Sequence, residues 1–170
     1  CIKSQSLLTR SVYSSGSHPY PSGIAVGSSY IYVSQGWYKG TITIHNTSNL
    51  SLVKTFTDSS RLYYSYNIDL NASENALIVS NQNSWAGHPP VVKYTVSGST
   101  LSFSTTLDRS IYSPSGVAFD SNDNIYVSSK YSSSLSKFNS SGTFQASTGG
   151  YHYGSPFNFA LGINIDSSDN

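Results

Sequence analysis

Three histidines, His18, His88 and His152, and four aromatic residues, Trp37, Tyr38, Trp85 and Tyr131, are where this 170-residue chain has side chains suited to a site. Imidazole can bind a metal or carry a proton at neutral pH. No two of these histidines stand at ligand spacing, so no metal set is read from them and no cofactor is expected. Exposed aromatic faces stack on sugars and anchor protein contacts, which makes this group a candidate ligand- or partner-binding set. "DSNDN" (120–124) and "DSSDN" (166–170) resemble the start of a calcium loop. That chemistry also needs a glycine and a late bidentate glutamate, and here a strand pattern resumes at Ile125 instead. Both are read as hairpin turns, which Asp and Asn favour by bonding their own backbone. No nucleophile elbow, paired carboxylates or phosphate-cradling glycine loop occurs, so no catalytic residue is assigned. Four N-x-Ser/Thr triplets begin at Asn46, Asn49, Asn71 and Asn139 and are candidate N-glycosylation sites.

What could hold these residues in place is bounded by composition. Charged residues are 10% of the chain and the formal net charge is +1, so there is no basic field for nucleic acid. No apolar run approaches the ~20 residues of a membrane span. The single cysteine, Cys1, leaves no internal disulfide. Serine is the commonest residue, yet Ile, Val, Leu and aromatics recur at two-residue spacing, as in strands and unlike disordered tracts. A chain that opens "CIKSQ" and contains no methionine reads as cut from something longer.

The strands repeat. "SGIAVG" (22–27), "YNIDLN" (66–71), "SGVAFD" (115–120) and "LGINID" (161–166) align, with second positions at Gly23, Asn67, Gly116 and Gly162. The steps are therefore 44, 49 and 46 residues, within the period of about 40–50 that propeller blades show. Each leads through a polar turn into a second strand ("YIYVSQ", "ALIVSN", "NIYVSS"). A third strand ("TITIHN", "VVKYTV", "LSKFNS") and a fourth ("LVKTFT", "LSFSTT", "TFQAST") follow. Lys93, Lys137 and Lys3 share one third-strand position, where the remaining copy is aligned with Thr43. The fold class is therefore all-β, a β-propeller of four-stranded antiparallel blades forming an incomplete ring. The predicted divisions are strands three and four of a blade (1–19), whole blades over 20–60, 61–111 and 112–150, and the first strand of another over 151–170.

Pro-Ser-Gly-Ile-Ala-Val (21–26) and Pro-Ser-Gly-Val-Ala-Phe (114–119), each followed by Ile-Tyr-Val-Ser, resemble NHL repeats. The resemblance is good over 20–59 and 113–149. It is weaker over 61–110, where Asn67 replaces the glycine and "NSWAGHPP" lengthens a loop. It implies a propeller, commonly of six blades, which would need about 270 residues. More sequence, or a second chain, is expected to complete the ring. Some NHL-type and related propellers are metal-dependent lyases or lactonases, but no motif of theirs transfers to a residue here; Asp69 is the main acid in a first strand.

Alternation of hairpins sends connections to opposite ends of a blade. His18 and His152 precede first strands, as do Tyr20, Tyr151 and Tyr153; Trp37, Tyr38, Trp85, His88 and Tyr131 lie between second and third strands. All of these share one end. The four sequons lie at the other, while His45 reads as ordinary surface. The expected function is a secreted or cell-surface binding or scaffold module that is not an enzyme, glycosylated at one end and meeting a protein or glycan partner at the other. A metal-dependent propeller enzyme and a matrix or filament subunit self-associating through open blade edges are the alternatives.

Overall fold

The computed structural model describes residues 20–36, 40–82, 87–109, 111–149, 160–166 and 168–169. Within them, twelve strands form three four-stranded antiparallel meanders, each in chain order. The first is β1 (Pro21–Val26), β2 (Tyr30–Gln35), β3 (Thr41–Asn46) and β4 (Leu52–Thr57). The second is β5 (Ser65–Leu70), β6 (Ala76–Asn81), β7 (Val91–Ser97) and β8 (Thr100–Thr106). The third is β9 (Pro114–Phe119), β10 (Ile125–Ser129), β11 (Ser134–Phe138) and β12 (Phe144–Gly149). No described helix is long and apolar enough to cross a membrane. The first strands β1, β5 and β9 lie side by side, so the sheets stack as propeller-type blades.

Two cores follow, one in each gap between sheets. Ala25, Tyr32, Ile42 and Ile44 of the first sheet pack on Ile68, Leu77, Val79, Val92 and Tyr94 of the second. Ala76, Ile78, Val91 and Leu107 of the second pack on Val117, Phe119, Ile125, Val127 and Phe138 of the third. Each fully buried aliphatic side chain contributes about 1.5–3 kcal/mol. The middle sheet is therefore covered on both faces. This is why β6, "ALIVSN", is a continuous buried run rather than an alternation. Outer strands have one covered edge and read as mixed; β4 exposes Leu52 and Val53.

The repeated Pro-Ser-Gly phrase encodes a kink. In all three blades the pairing of first and second strand slips at the same place, after Pro21, Ser65 and Pro114. The slipped residue is the serine of the phrase in two of them. Ser22 donates its hydroxyl to the Ser65 carbonyl of the next blade at 2.5 Å, and Ser115 donates to Ala160 at 2.5 Å. In the middle blade Tyr66 takes the serine's place. There the tie comes instead from Ser80 of β6, which donates to the Ser115 carbonyl at 3.2 Å. A β-bulge thus re-aims the serine across the gap in the two blades that carry the phrase.

A second set of ties joins the turns between first and second strands. In the longer turns the opening Asn or Asp organises its own loop. Asn71 Oδ1 accepts from the Asn75 and Ala76 amides, Asp120 Oδ1 from Asn122 and Asn124, and Asp166 Oδ1 from Ser168. The acid three residues on, Glu74, Asp123 or Asp169, is left-handed (φ 53°, 60° and 61°) and reaches back to the preceding blade. Glu74 accepts from Ser28 N and Oγ at 2.6 and 3.0 Å. Asp123 accepts from Asn71 Nδ2 at 3.0 Å, and Asp169 from Ser121 N and Oγ at 2.8 and 2.5 Å. The "DSNDN" phrase is a turn with an inter-blade latch, and no group of three or more metal-ligating side chains forms among the described residues.

The lysine alignment needs a correction. Strand pairing sets Tyr32 against Ile44, Ile78 against Lys93 and Tyr126 against Lys137, so Ile44, not Thr43, shares the lysine position. Matching letters without pairing slipped one residue, which in a strand moves a side chain to the other face. Lys93 uses its position to cross the gap, donating Nζ to the Ser140 carbonyl at 2.6 Å. Lys137 lies 3.9 Å from Asp120 and over the Tyr126 ring. Its pKa is raised, chiefly by the Tyr126 contact. Asp120 is held below the usual carboxylate value. Burial alone would raise it, but the Asn124, Asn122 and Tyr126 hydrogen bonds outweigh that.

Candidate binding surface at the loop end

The meander gives every blade a turn end and a loop end. At the first, the turn after β3 meets the turn after β1, through Thr47 N to Ser29 O and Thr47 Oγ to Ser28 O. At the second, the loop after the second strand meets the link that precedes the first. Gly36 N donates to Tyr20 O, Gln82 N to Tyr64 O, and Lys130 N to Ser113 O.

In the second and third blades the residue that ends the second strand acts as a post for these loops. In the middle blade it is Asn81, fully buried at 0% exposure. Its Nδ2 donates to Arg61 O and Pro89 O, both at 2.7 Å, while Oδ1 accepts from Tyr63 N at 3.2 Å and Ser65 Oγ at 3.3 Å. A single side chain thereby joins the link to the long second loop. The product is a stacked pair: the rings of Tyr63 and His88 lie 4.7 Å apart with an 8° interplanar angle. Tyr64 packs edge-on against Tyr63. In the third blade the post is Ser129, whose hydroxyl donates to Tyr112 O at 2.5 Å and also contacts Ser132. Here Tyr112 and Tyr131, 54% and 43% exposed, sit 6.0 Å apart, with Lys130 Nζ 5.3 Å from the Tyr131 ring centre. In the first blade Gln35 holds this position but donates Nε2 to Thr43 Oγ of β3, and exposed Tyr20 precedes β1.

Charge on the links between blades is committed to structure. Asp58, on the link after β4, accepts from Ser60, Arg61 and Tyr94. Burial pushes its pKa up, but these hydrogen bonds prevail and hold the carboxyl below its ordinary value. Burial also raises the Tyr94 hydroxyl, with the Asp58 charge adding to it. Asp108 Oδ1 accepts from Phe144 N. Arg61 lies over Phe103 at 4.0 Å and Arg109 over Phe144 at 4.1 Å, so the linker cations lie on outer-strand rings.

Of the sequence-derived candidates, His88 and Tyr131 are at this end, in neighbouring blades. Trp37, Tyr38, Trp85, His18 and His152 lie outside the described residues, as do Tyr151 and Tyr153. The structure adds Tyr63, Tyr64 and Tyr112, which sequence reasoning passed over although they occupy the same link as Tyr20. Asp69 serves the fold: its Oδ2 accepts from Phe119 N of the next blade at 2.8 Å. Burial pushes its pKa up, against the Phe119 and Leu70 amide hydrogen bonds. His45 is half-buried rather than ordinary surface, with its ring nitrogens against Leu50 O and Thr43 Oγ.

The sequons divide. Asn71 is corrected: it is 1% exposed, and its amide nitrogen is already bonded to Asn75 and Asp123, so no glycan fits there. Asn49 is exposed, and Asn139 lies on the turn after β11. In both, the hydroxyl of the third sequon residue donates to the Asn oxygen at 2.7 Å. Asn46 donates its nitrogen to Ser51 Oγ.

No protein-family model matches the chain, and no curated protein matches it. Solved structures share the fold. The chain is similar to the computationally designed Ika4 protein at a TM-score of 0.62 and 8% identity, over 89% of this chain and 83% of that one. It is similar to a functionally unknown protein from Desulfotomaculum acetoxidans DSM 771 at a TM-score of 0.70 and 9% identity, over 88% and 46%. It is also similar to the designed Ika8 protein at a TM-score of 0.60 and 8% identity, over 89% and 42%. The chain thus spans less than half the length of the last two. At these identities the likeness is one of fold alone.

Proposed function

We propose that this chain is part of a secreted or cell-surface propeller of the NHL kind, a non-catalytic binding or scaffold module. It meets a protein or glycan partner through its loop end. The observation that carries the reading is the pairing of aromatic rings at the loop ends of adjacent blades, each held by a buried post rather than left to a floppy loop. Rigid, exposed Tyr faces give contact area at low entropic cost. A Tyr112→Ala/Tyr131→Ala variant is expected to lose partner capture on an array of glycans and secreted proteins by tenfold or more, with an unchanged melting curve. Undiminished capture overturns the reading.

Glycans at the turn end belong to the same proposal and place Asn49 and Asn139 first. Expressed through a secretory pathway, the chain should lose one glycan's mass on Asn49→Gln and one on Asn139→Gln, and none on Asn71→Gln. Intact-mass spectrometry reads all three, and a wild-type mass equal to the bare polypeptide rejects glycosylation.

A further inference from the structure

The first sheet keeps an apolar face exposed. Strand register sets Ile24, Val33, Thr43 and Thr55 in one row across it, and Val26, Ile31, His45 and Leu52 in the next. In the second and third sheets the matching rows face the preceding blade and are covered. Ile68 and Val117, in the place of Ile24, are 2% exposed, and Phe119, in the place of Val26, is 8% exposed. Ile24 and Val26 themselves are 61% and 64% exposed. The two rows contain no lysine, arginine or acid. Such a flat face of β-branched side chains suits another sheet packed against it.

The other end of the series holds the complementary half of the contact. Gly23 and Gly116 each lie against backbone of the next first strand, at Asn67–Ile68 and at Gly162–Ile163. A β-carbon on Gly162, by contrast, meets nothing within 4 Å. Leu161, in the place of the serines that donate forward, is 51% exposed. By the repeat, the backbone that Gly162 matches is that of Gly23 and Ile24. We propose that this chain joins a second copy of itself head to tail, with residues 161–166 of one copy lying along the exposed side of β1 in the other. The joint is a third instance of the seam the chain already makes twice, formed here between molecules. It uses a blade face and not the loop end, so it stands apart from the partner binding proposed there. It should also be the weakest seam. The turn after β1 has three residues, 27–29, where 71–75 and 120–124 have five. None of the three is an acid, so nothing in it reaches back as Glu74, Asp123 and Asp169 do. A joint resting on apolar contact alone suits an association that reverses on dilution.

Sedimentation velocity of the 170-residue chain over a hundredfold range of concentration tests this. Wild type is expected to pass from single chains to assemblies of two or more copies as concentration rises. Val26→Lys puts a charge on the exposed side of β1, and Gly162→Ala puts a methyl on the opposite half of the joint. Each should weaken assembly by about tenfold or more. At the lowest concentration, where chains are single, both should melt close to wild type, as exposed substitutions do. A mixture of the two variants should regain pairing, because one keeps an intact Gly162 and the other an intact β1 face. Wild type that stays single throughout overturns the inference and leaves the face to a preceding unit of its own polypeptide. Assembly weakened by Val26→Lys but not by Gly162→Ala overturns it as well, since the contact is then face to face. So does a mixture that stays single.

Discussion

Asn81→Ala is expected to lower the unfolding free energy by about 3 kcal/mol, because four groups lose one shared partner. Arg61 O and Pro89 O lose a donor, and Tyr63 N and Ser65 Oγ lose an acceptor, all at a fully buried point. The loops can open to water and recover part of this, which caps the loss near that figure. The damage should be local as well as global. With the link and the second loop untied, the Tyr63–His88 stack loosens, and the ring-current shift of the His88 protons shrinks in the NMR spectrum. Asn81→Asp sharpens the point. It keeps the acceptor for Tyr63 N but turns oxygen towards Arg61 O and Pro89 O, so it should be no better than alanine. A loss below 1 kcal/mol in urea unfolding, with the stack intact, would show that the loops hold themselves.

Gly23→Ala addresses the seam between blades. A β-carbon there would lie 2.9 Å from Asn67 Cα and 3.0 Å from Ile68 N, both backbone atoms of β5. Backbone cannot swing aside as a side chain can, so β1 and β5 must part. The expected cost is about 2–3 kcal/mol, typical of overpacking. Gly116 repeats the geometry, 2.8 Å from Ile163 N and 2.9 Å from Gly162 C. Gly162 occupies the same place in the repeat, yet a β-carbon on it meets nothing within 4 Å. Expressed as the 170-residue chain, in which no strand of the sequence lies beyond it, Gly162→Ala is therefore the control and should be near neutral by thermal melting. Equal effects at Gly23 and Gly162 would mean that the repeated glycine answers a need within its own strand rather than the approach of a neighbour.

These two positions also show what could be read from letters and what could not. Gly23 and Gly116 stood out because Pro-Ser-Gly recurs before Ile-Tyr-Val-Ser, and the repeat was enough to place all twelve described strands in three meanders. The reason for the glycine is a contact with residues 44 to 47 positions away, which a strand pattern does not contain. The same holds for Glu74, Asp123 and Asp169. Their turn chemistry is local and legible, whereas their second role needs the preceding blade beside them. Asn71 failed as a glycan site because a triplet carries no burial. Its side chain is one of the hydrogen-bonded centres of its own turn. Asn81 carried no signal beyond its place at the end of "ALIVSN". Tyr63 and Tyr112 were available in "RLYYS" and "SIYSP", one residue before the position aligned with Tyr20, and needed only the comparison.

The ties across each gap mostly point one way, with the Phe119 amide to Asp69 running against them. A serine of one blade donates forward to the next, and an acid of the next reaches back for the one before. An interface of this kind is heterologous: donor and acceptor patches differ, and every unit carries both. Copying one unit of the repeat therefore inserts a blade that already fits its neighbours, with no new recognition to invent. How many units close a circle is then a matter of the rotation between successive sheets, a property of every gap together and of no single residue.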